Sequence, residues 1–141
     1  MLDPLADLRP TTIDLEDIPI LYRACADELP AMQAAWASFE AAVGLRGRKF
    51  YGIFDPVARE YRVCVKTREG DDPAALEARE GTIPGGRYLR VSLTGEPPEV
   101  YSLIGPSFQR MEAETDVDQS RPFVEFYKRR DRIELLVPIK G

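Results

Sequence analysis

The spacing of apolar residues in the first half of the chain predicts a strand, a helix and a hairpin. Between residues 32 and 43 the apolar side chains recur three and four positions apart, which is typical of one face of a helix, and Gly44 then ends it. Short apolar runs lie on either side, the last two separated by the turn residues Asp55-Pro56. The predicted elements are a strand at 18–25, a helix at 30–43, and strands at 49–54 and 61–66.

The second half of the chain repeats this order. Leu89, Val91 and Leu93 alternate with less apolar neighbours, which predicts a strand with one apolar face. The helical stretch that follows contains Gly105-Pro106, which predicts a kink or a break into two short helices. The predicted elements are a strand at 87–93, helical residues at 97–111, and a final hairpin of strands at 123–128 and 132–139.

A polar connector at 67–86 lies between the two halves and has Gly and Pro residues near its ends. Twenty residues is long for a simple loop, which favours a linker between modules or a functional flap, with a short helix at 74–79. A chain of 141 residues fits one domain. We therefore expect a single domain over 1–141, with module one at 18–66, this connector, and module two at 87–139.

The repeated order predicts an α+β fold, a tandem duplication of two β-α-β-β modules with antiparallel sheets. We expect each helix to cover one face of its three-stranded sheet, and the opposite faces to meet around a groove. Alternation along a strand then assigns the faces. Tyr88, Arg90 and Ser92 face away from the helix, and on the late strand Val124 and Phe126 lie opposite to Phe123, Glu125 and Tyr127.

The absence of histidine excludes several kinds of chemistry. There is no imidazole for a Ser-His-Asp or Cys-His nucleophile, for His-ligated zinc or for proximal-His haem. Cys25 and Cys64 are too few for a four-thiolate metal site and too far apart for a redox motif, and both are interpreted as small buried apolar residues. We therefore expect no metal site and no cofactor.

Net charge bears on partners and location. Nineteen basic against 24 acidic residues give a net charge of -5, which argues against direct nucleic-acid binding, and the basic cluster at 128–132 is interpreted as a solvated hairpin tip. No apolar run is long enough for a membrane helix, and the start resembles no secretory signal. A helix-turn-helix would not fit before Ile18. These features predict a cytoplasmic protein without its own DNA-binding domain.

Glu125 is the residue whose setting suggests a function, because it lies among Phe and Val in the segment Pro-Phe-Val-Glu-Phe-Tyr. Burying an unpaired carboxylate costs several kcal/mol, so something must compensate it. One interpretation is a salt bridge, with Arg90 on the neighbouring strand as a candidate. The other is an acid at the bottom of an aromatic pocket that awaits a cationic or hydrogen-bonding ligand. The pattern leaves both open.

Several segments resemble the gyrase-inhibitor-like (GyrI-like) small-molecule-binding domain, which is also the effector-binding domain of multidrug-responsive bacterial transcription activators. The resemblance spans about residues 12–140. It rests on the segments Ile83-Pro84-Gly85-Gly86-Arg87-Tyr88, Pro122-Phe123-Val124-Glu125-Phe126-Tyr127 and Val137-Pro138-Ile139-Lys140, with Gly95, and on Tyr51-Gly52-Ile53-Phe54-Asp55 in the first half.

The resemblance implies a groove between modules that holds flat, hydrophobic, often cationic compounds. A glutamate on the late strand contacts them, and here that residue would be Glu125. Groove-facing aromatic residues would be Tyr88 and Tyr127, with Phe123 beside them and Tyr51 as a weaker candidate. The chain departs from the family in its second helix, where Phe108 and Met111 stand in place of a common tryptophan. The one tryptophan, Trp36, is interpreted as a core residue of the first helix.

These inferences support a stand-alone ligand-binding module that senses or sequesters a hydrophobic, aromatic and often cationic molecule. One alternative is a hydrolase of strained electrophiles, as in some relatives of the family. Glu125 would then be the general base, and Tyr88 or Tyr127 would orient the water. A second alternative is an inhibitor that binds another protein, for which the acidic first 17 residues are the candidate surface.

Overall fold

Two helix-containing units share one antiparallel sheet in the computed structural model, which describes residues 8–55 and 58–141. The elements are β1 Thr11–Leu15, β2 Ile18–Ala26, α1 Leu29–Val43, β3 Phe50–Asp55, β4 Glu60–Lys66, β5 Arg79–Ile83, β6 Gly86–Thr94, a 3-10 helix Glu99–Leu103, α2 Ile104–Ala113, β7 Phe123–Arg129 and β8 Arg132–Pro138. The first unit has the order β2-α1-β3-β4, and the second has the order β6-α2-β7-β8, as the repeated pattern predicts.

The two units join through their equivalent strands, β3 and β7. The strand order is β1-β6-β8-β7-β3-β4-β2-β5, so three strands of each unit lie on either side of the β7–β3 contact. Five residue pairs are in register there, and the central pair is Gly52 with Glu125. The middle of the sheet is therefore built by both halves of the chain.

The order of strands requires the sheet to be rolled. Residues 16–17 connect β1 at one edge to β2 near the other, and residues 84–85 connect β5 to β6 in the same way. Such a connection spans at most about 11 Å, whereas six strand spacings in a flat sheet measure about 29 Å. The two connections contact each other, since the Gly85 amide donates to Asp17 Oδ1 over 2.6 Å. The result is a half-barrel.

Rolling the sheet fills the face that lies away from the helices. A cluster from both units and both edges packs there, including Ile20, Ile53, Ile83 and Val124. The helix face instead carries two separate clusters, one under each helix. The sequence predicts the groove on the face away from the helices. The structure places it between the two helices instead, because the inside of the roll is already occupied.

Three further features differ from the sequence-based expectation. The strands β1 and β5 are additions at the sheet edges, and β5 lies inside the expected connector. The helix predicted at 74–79 is wrong, because residues 73–77 form turns and β5 begins at Arg79. The expected break in the second helix is present: the 3-10 helix passes into α2 at Ile104, which places Pro106 in the first turn of α2.

The acidic first 17 residues, the candidate surface for a protein partner, lie only partly in the described chain. Residues 1–7 are outside it, and residues 11–15 form β1.

The expectation that both cysteines are buried is correct for one of them. Cys64 is fully buried and burial raises its pKa, whereas Cys25 is only half-buried. Within residues 8–55 and 58–141 no helix is long and apolar enough to cross a membrane.

The loop after β4 is fixed to the loop after α1 by an ion pair that makes stability depend on pH. Both terminal nitrogens of the Arg48 guanidinium donate to Asp71 over 2.8 Å, and the Arg68 amide donates to the same carboxylate over 2.9 Å. The hydrogen bond from Arg48 is the main reason why the pKa of Asp71 falls from 3.8 to about 2. The ion pair therefore stabilises the fold above about pH 4, and this contribution disappears as the pH falls through 2.

We expect Asp71→Asn to lower the free energy of unfolding at pH 7 by about 1 kcal/mol, with allowance for solvent screening. The difference from the wild type should shrink on acidification and vanish near pH 2. Thermal melts of both proteins between pH 2 and pH 7 measure it. A gap of constant size at every pH would show that Asp71 stabilises the loop by its shape and not by its charge.

Candidate functional site

A cavity of about 1110 Å³ lies between α1 and α2, over the central strands. Its floor comes from β3, β4 and β7, so it straddles the junction of the two units. Helix α1 forms one wall, and the 3-10 helix with α2 forms the other. The aromatic residues that line the cavity are Trp36, Phe50, Phe54, Tyr61, Tyr101, Phe108, Phe123 and Tyr127.

Glu125 lies on the floor of this cavity, and only 7% of its surface is exposed. Its Oε1 atom accepts hydrogen bonds from the hydroxyls of Tyr61 and Tyr127, each over 2.7 Å. The Trp36 indole N–H in turn donates to the Tyr61 hydroxyl over 3.1 Å. Side chains from α1, β4 and β7 therefore hold one carboxylate oxygen in place.

Burial dominates the protonation of this group. Desolvation raises the pKa of Glu125, and the two tyrosine hydrogen bonds oppose that rise without cancelling it. Burial also raises the pKa of Tyr61 and Tyr127 well above 10, and the carboxylate charge adds to this. The tyrosines therefore stay neutral hydrogen-bond donors at physiological pH, and the carboxyl group is the titrating member of the cluster.

Gly52 provides the space for this cluster. It lies directly opposite Glu125 in the sheet, so a side chain at position 52 would point to the same face as the Glu125 side chain. A Cβ atom there would collide with the Tyr61 hydroxyl and the Glu125 carboxylate and would lie 2.9 Å from Tyr61 Cζ. The carboxylate and the tyrosine hydroxyl can meet because residue 52 has no side chain.

The salt-bridge interpretation of Glu125 is not supported. Among the ion pairs formed by residues 8–55 and 58–141, none includes Glu125. Arg90 is not on the neighbouring strand, because β8 separates its strand β6 from β7. Two neutral hydroxyls, rather than a guanidinium, compensate the buried carboxylate.

The cavity wall on the α1 side is a cluster of aromatic edges. Trp36 lies edge-on to Tyr127 at 5.2 Å and to Phe50 at 6.1 Å between ring centroids. Its interpretation as a core residue is therefore incomplete, because the ring packs on the core and also lines the cavity. On the other side Phe108 packs against Phe123 at 5.4 Å, so Phe108 of α2 forms part of the wall.

The structure divides the predicted ligand-binding residues into two groups. Glu125, Tyr127 and Phe123 lie together in the cavity, on the same face of β7. Tyr51 and Tyr88 belong to the cluster inside the roll. The alternation of β3 and β6 directs their side chains away from the helices, and the cavity is on the helix side.

Both displaced tyrosines have local partners inside the roll. The Tyr51 ring stacks on Phe126 at 4.7 Å. The Tyr88 hydroxyl donates to the Pro84 carbonyl over 2.6 Å, and the Arg121 guanidinium lies 4.7 Å from its ring centre. These contacts give Tyr51 and Tyr88 structural roles.

Sequence reasoning missed Tyr61 and Gly52. Tyr61 lies on the same face of β4 as Val63 and Val65, and this pattern predicts an apolar face. Nothing in the neighbouring residues indicates that its hydroxyl donates to Glu125, 64 residues away. Gly52 lies inside the predicted strand 49–54, where nothing in the neighbouring residues indicates that the position must lack a side chain. Phe50 and Phe54 alternate with Tyr51 along β3, so they lie on its opposite face, and both line the cavity.

The cavity lining carries more negative than positive charge when the arginines that already form ion pairs are set aside. Asp27, Glu40 and Glu112 line it together with Glu125. Of the three arginines that line it, Arg48 binds Asp71, and Arg130 lies 4.0 Å from Glu96. Burial raises the pKa of Glu40 as well. The lining therefore carries an excess of negative charge whose most buried member is Glu125.

Large apolar side chains are exposed at the edges of the cavity. Leu29 is 64% exposed, Leu45 is 63% exposed and Tyr101 is 47% exposed, and all three line it. Within the part of the chain that the structure describes, no three Cys, Asp or Glu side chains are grouped to hold a metal ion. The chemistry available in the cavity is that of aromatic rings, one buried carboxylate and tyrosine hydroxyls.

No protein-family model matches the sequence, and no curated protein matches it. Solved structures do match. An integron cassette protein from the mobile metagenome of Vibrio cholerae is 16% identical, with a TM-score of 0.76 over 93% of this chain and 95% of that one. The structure of SAV2435 bound to tetraphenylphosphonium is 16% identical, with a TM-score of 0.64 over 94% of each chain.

A third similar structure is the EcmrR C-terminal domain, which is 9% identical, with a TM-score of 0.66 over 96% of this chain and 99% of that one. At these identities the similarity concerns the fold. The chain has the α+β fold of GyrI-like effector-binding domains, as expected, and its half-barrel of eight antiparallel strands includes two edge strands, β1 and β5, that the sequence did not predict.

Proposed function

We propose that this protein is a single small-molecule-binding domain that takes up a hydrophobic aromatic cation between α1 and α2, with Glu125 as the counter-charge. The observation that carries the proposal is a buried carboxylate on the floor of an aromatic cavity, with hydrogen bonds from two tyrosines and no ion pair among the described residues. Binding of this kind would serve sensing or sequestration of the ligand.

The desolvation of Glu125 favours the binding of a cation. The carboxylate has already lost most of its water on folding, and its two hydroxyl partners stabilise its charge only in part, because its pKa is raised. A cation that enters the cavity stabilises the carboxylate charge, and this attraction is strong because the surrounding medium has a low dielectric constant. The aromatic lining adds about 0.5 to 2 kcal/mol for each ring face that meets the cation. A neutral ligand of the same shape gains the apolar contacts and lacks both electrostatic contributions.

The size of the cavity supports a polycyclic ligand. Small-molecule pockets commonly measure about 300 to 1,000 Å³, and this one is slightly larger at about 1110 Å³. SAV2435, which shares the fold, is described as bound to tetraphenylphosphonium, a bulky aromatic cation. The shared fold, together with the cavity and the buried acid of this chain, supports the same class of ligand here.

The test compares two ligands of equal shape, N-methylacridinium and the neutral 9-methylanthracene. Trp36 is the one tryptophan of the chain and lines the cavity, so quenching of its fluorescence reports occupancy. We expect the cation to bind at least about tenfold more tightly than the hydrocarbon. Equal affinities would contradict charge recognition, and no quenching by either ligand would contradict the cavity as the site.

A pair of tyrosine variants separates the cavity from the inside of the roll. Tyr127→Phe removes one of the two hydrogen bonds that hold the Glu125 carboxylate in place, so cation affinity should fall about three- to tenfold, and the pH at which affinity is lost should rise because the pKa of that carboxyl group rises further. Tyr88→Phe removes a hydrogen bond on the opposite face and should leave affinity within twofold. Equal effects of both substitutions in the fluorescence titration would contradict this assignment of faces.

A hydrolytic role is the second candidate, favoured by the raised pKa of Glu125 inside a cavity that a substrate could enter. A carboxylate of that kind can take a proton from water as the water oxygen attacks a strained, electrophilic carbon. The strained ring bond at that carbon breaks, and its electron pair takes up the proton that Glu125 returns. One similar structure, 14% identical with a TM-score of 0.54, is described as a hydrolase from Listeria innocua. Turnover of a strained electrophile that disappears in Glu125→Gln supports this role, and no turnover at any pH excludes it.

A further inference from the structure

A second, smaller cavity of about 170 Å³ lies where the loop after α1 meets the end of β4. Four of the six residues that line it are cationic, and the remaining two are Gly47 and Thr67. The cationic residues are Arg48, Lys49, Lys66 and Arg68. Two of the chain's four lysines are thus together in a protein whose net charge is -5.

The backbone forces two of these charges to be neighbours. The Lys66 amide donates to the Lys49 carbonyl over 2.9 Å, so the two lysines extend the ladder between β3 and β4. Like charges on neighbouring positions of adjacent strands destabilise a sheet. Neither lysine is in an ion pair with another described residue.

The carboxylate that is bonded to this cluster, Asp71, already has several donors. It accepts hydrogen bonds from both terminal guanidinium nitrogens of Arg48 and from the Arg68 amide. Arg48 also donates to the Lys66 carbonyl over 3.1 Å, and its side chain is only 3% exposed. A buried, fixed Arg48 therefore forms one side of the cavity, while the exposed side chains of Lys49, Lys66 and Arg68 can close around a ligand.

We propose that this cavity is an anion-binding site for a phosphate-sized oxyanion, either free or as the terminal group of a small phosphomonoester. The four positive charges are paired with one carboxylate, Asp71, which leaves an excess of three positive charges that a dianion would largely offset. The volume of about 170 Å³ fits such a group and excludes a polycyclic ligand like that of the larger cavity. Because Arg48 lines both cavities, the anion site adjoins the other one.

The test uses inorganic phosphate and phenyl phosphate at constant ionic strength, with potassium chloride as compensation. At ten times the dissociation constant, phosphate should raise the melting temperature of the full chain by about 3 to 6 °C. Backbone amide NMR signals of residues 47–49 and 66–68 should shift along the same saturation curve. Equal affinity for both compounds identifies the free oxyanion as the ligand, and at least tenfold tighter phenyl phosphate binding identifies the ester.

The double variant Lys49→Gln/Lys66→Gln should bind phosphate at least about tenfold more weakly. Its matched control is Lys128→Gln/Lys140→Gln, which removes the same charge elsewhere and should behave as the wild type. The proposal is overturned if both double variants respond alike, if chloride gives the same stabilisation, or if only polyanions bind. No aromatic cation is used in these measurements. A negative result therefore counts against the anion site alone and leaves the function proposed for the larger cavity unaffected.

Discussion

Glu125→Gln is expected to weaken the binding of N-methylacridinium about 10- to 100-fold and that of 9-methylanthracene less than threefold. Glutamine keeps the size of the side chain and an oxygen that can accept from Tyr61 and Tyr127, so the cavity keeps its shape. The lost quantity is the attraction between a cation and a desolvated carboxylate, which is about 1 to 3 kcal/mol after solvent and hydrogen bonds are counted. Quenching of Trp36 fluorescence measures both affinities.

The pH dependence of the wild type provides a control without mutation. Because the pKa of Glu125 is raised, the carboxyl group should take up its proton at a pH above that of an ordinary glutamate. Cation affinity should therefore be full above that raised pKa and fall as the pH decreases through it, while the affinity of the hydrocarbon stays level. In Glu125→Gln the cation affinity should no longer change over this range. A variant that keeps the pH response would mean that another acid, such as Glu40, carries the charge recognition.

Gly52→Ala is expected to lower the free energy of unfolding by about 2 to 4 kcal/mol and to abolish cation binding. The added methyl group would occupy the position where the Tyr61 hydroxyl meets the Glu125 carboxylate. Both groups belong to buried side chains that are enclosed by the sheet and by α1, so they cannot move apart without losing their hydrogen bond. The cost combines overpacking of a filled site with a buried polar group left unpaired. Urea unfolding measures the first effect, and Trp36 quenching measures the second.

Gly105→Ala is the matched control for this substitution. Gly105 also lines the cavity, but it lies in α2, and a Cβ atom there meets nothing within 4 Å outside its own helix and its chain neighbours. Alanine is the better helix former, but Pro106 follows and restricts a residue that has a Cβ, so this variant should change the free energy of unfolding by less than about 1 kcal/mol. If the two alanine variants were equally stable, the close approach of Tyr61 and Glu125 to residue 52 would not contribute to the fold.

The elements were predicted where the apolar period was strong. The stripe of α1 and the alternation of β6 gave their types, because each buries one continuous face against its own unit. The edge strands β1 and β5 were missed, since Arg79–Ile83 and Thr11–Leu15 contain few apolar residues. These strands form because partners distant in the chain, β6 and β2, offer them free backbone groups.

The candidate site was predicted in part for a related reason. Glu125 was identifiable because a carboxylate among apolar neighbours in one strand is a local anomaly. Its partner Tyr61 was not identifiable, because the two residues meet only where β4 and β7 flank β3. The anion-site candidate was missed in the same way, since its four cations come from two segments that the β3–β4 ladder brings together.

The sequence by itself determined the duplicated α+β order, the two faces of β7 and the acid among aromatic residues, because each of these is written in neighbouring positions. Only the tertiary structure decided which face of the sheet carries the cavity. Two-residue connections join opposite edges and roll the sheet, which fills one face with Tyr51 and Tyr88 and leaves the other open between the helices. Alternation specifies that two faces differ, and long-range closure specifies which of them is inside.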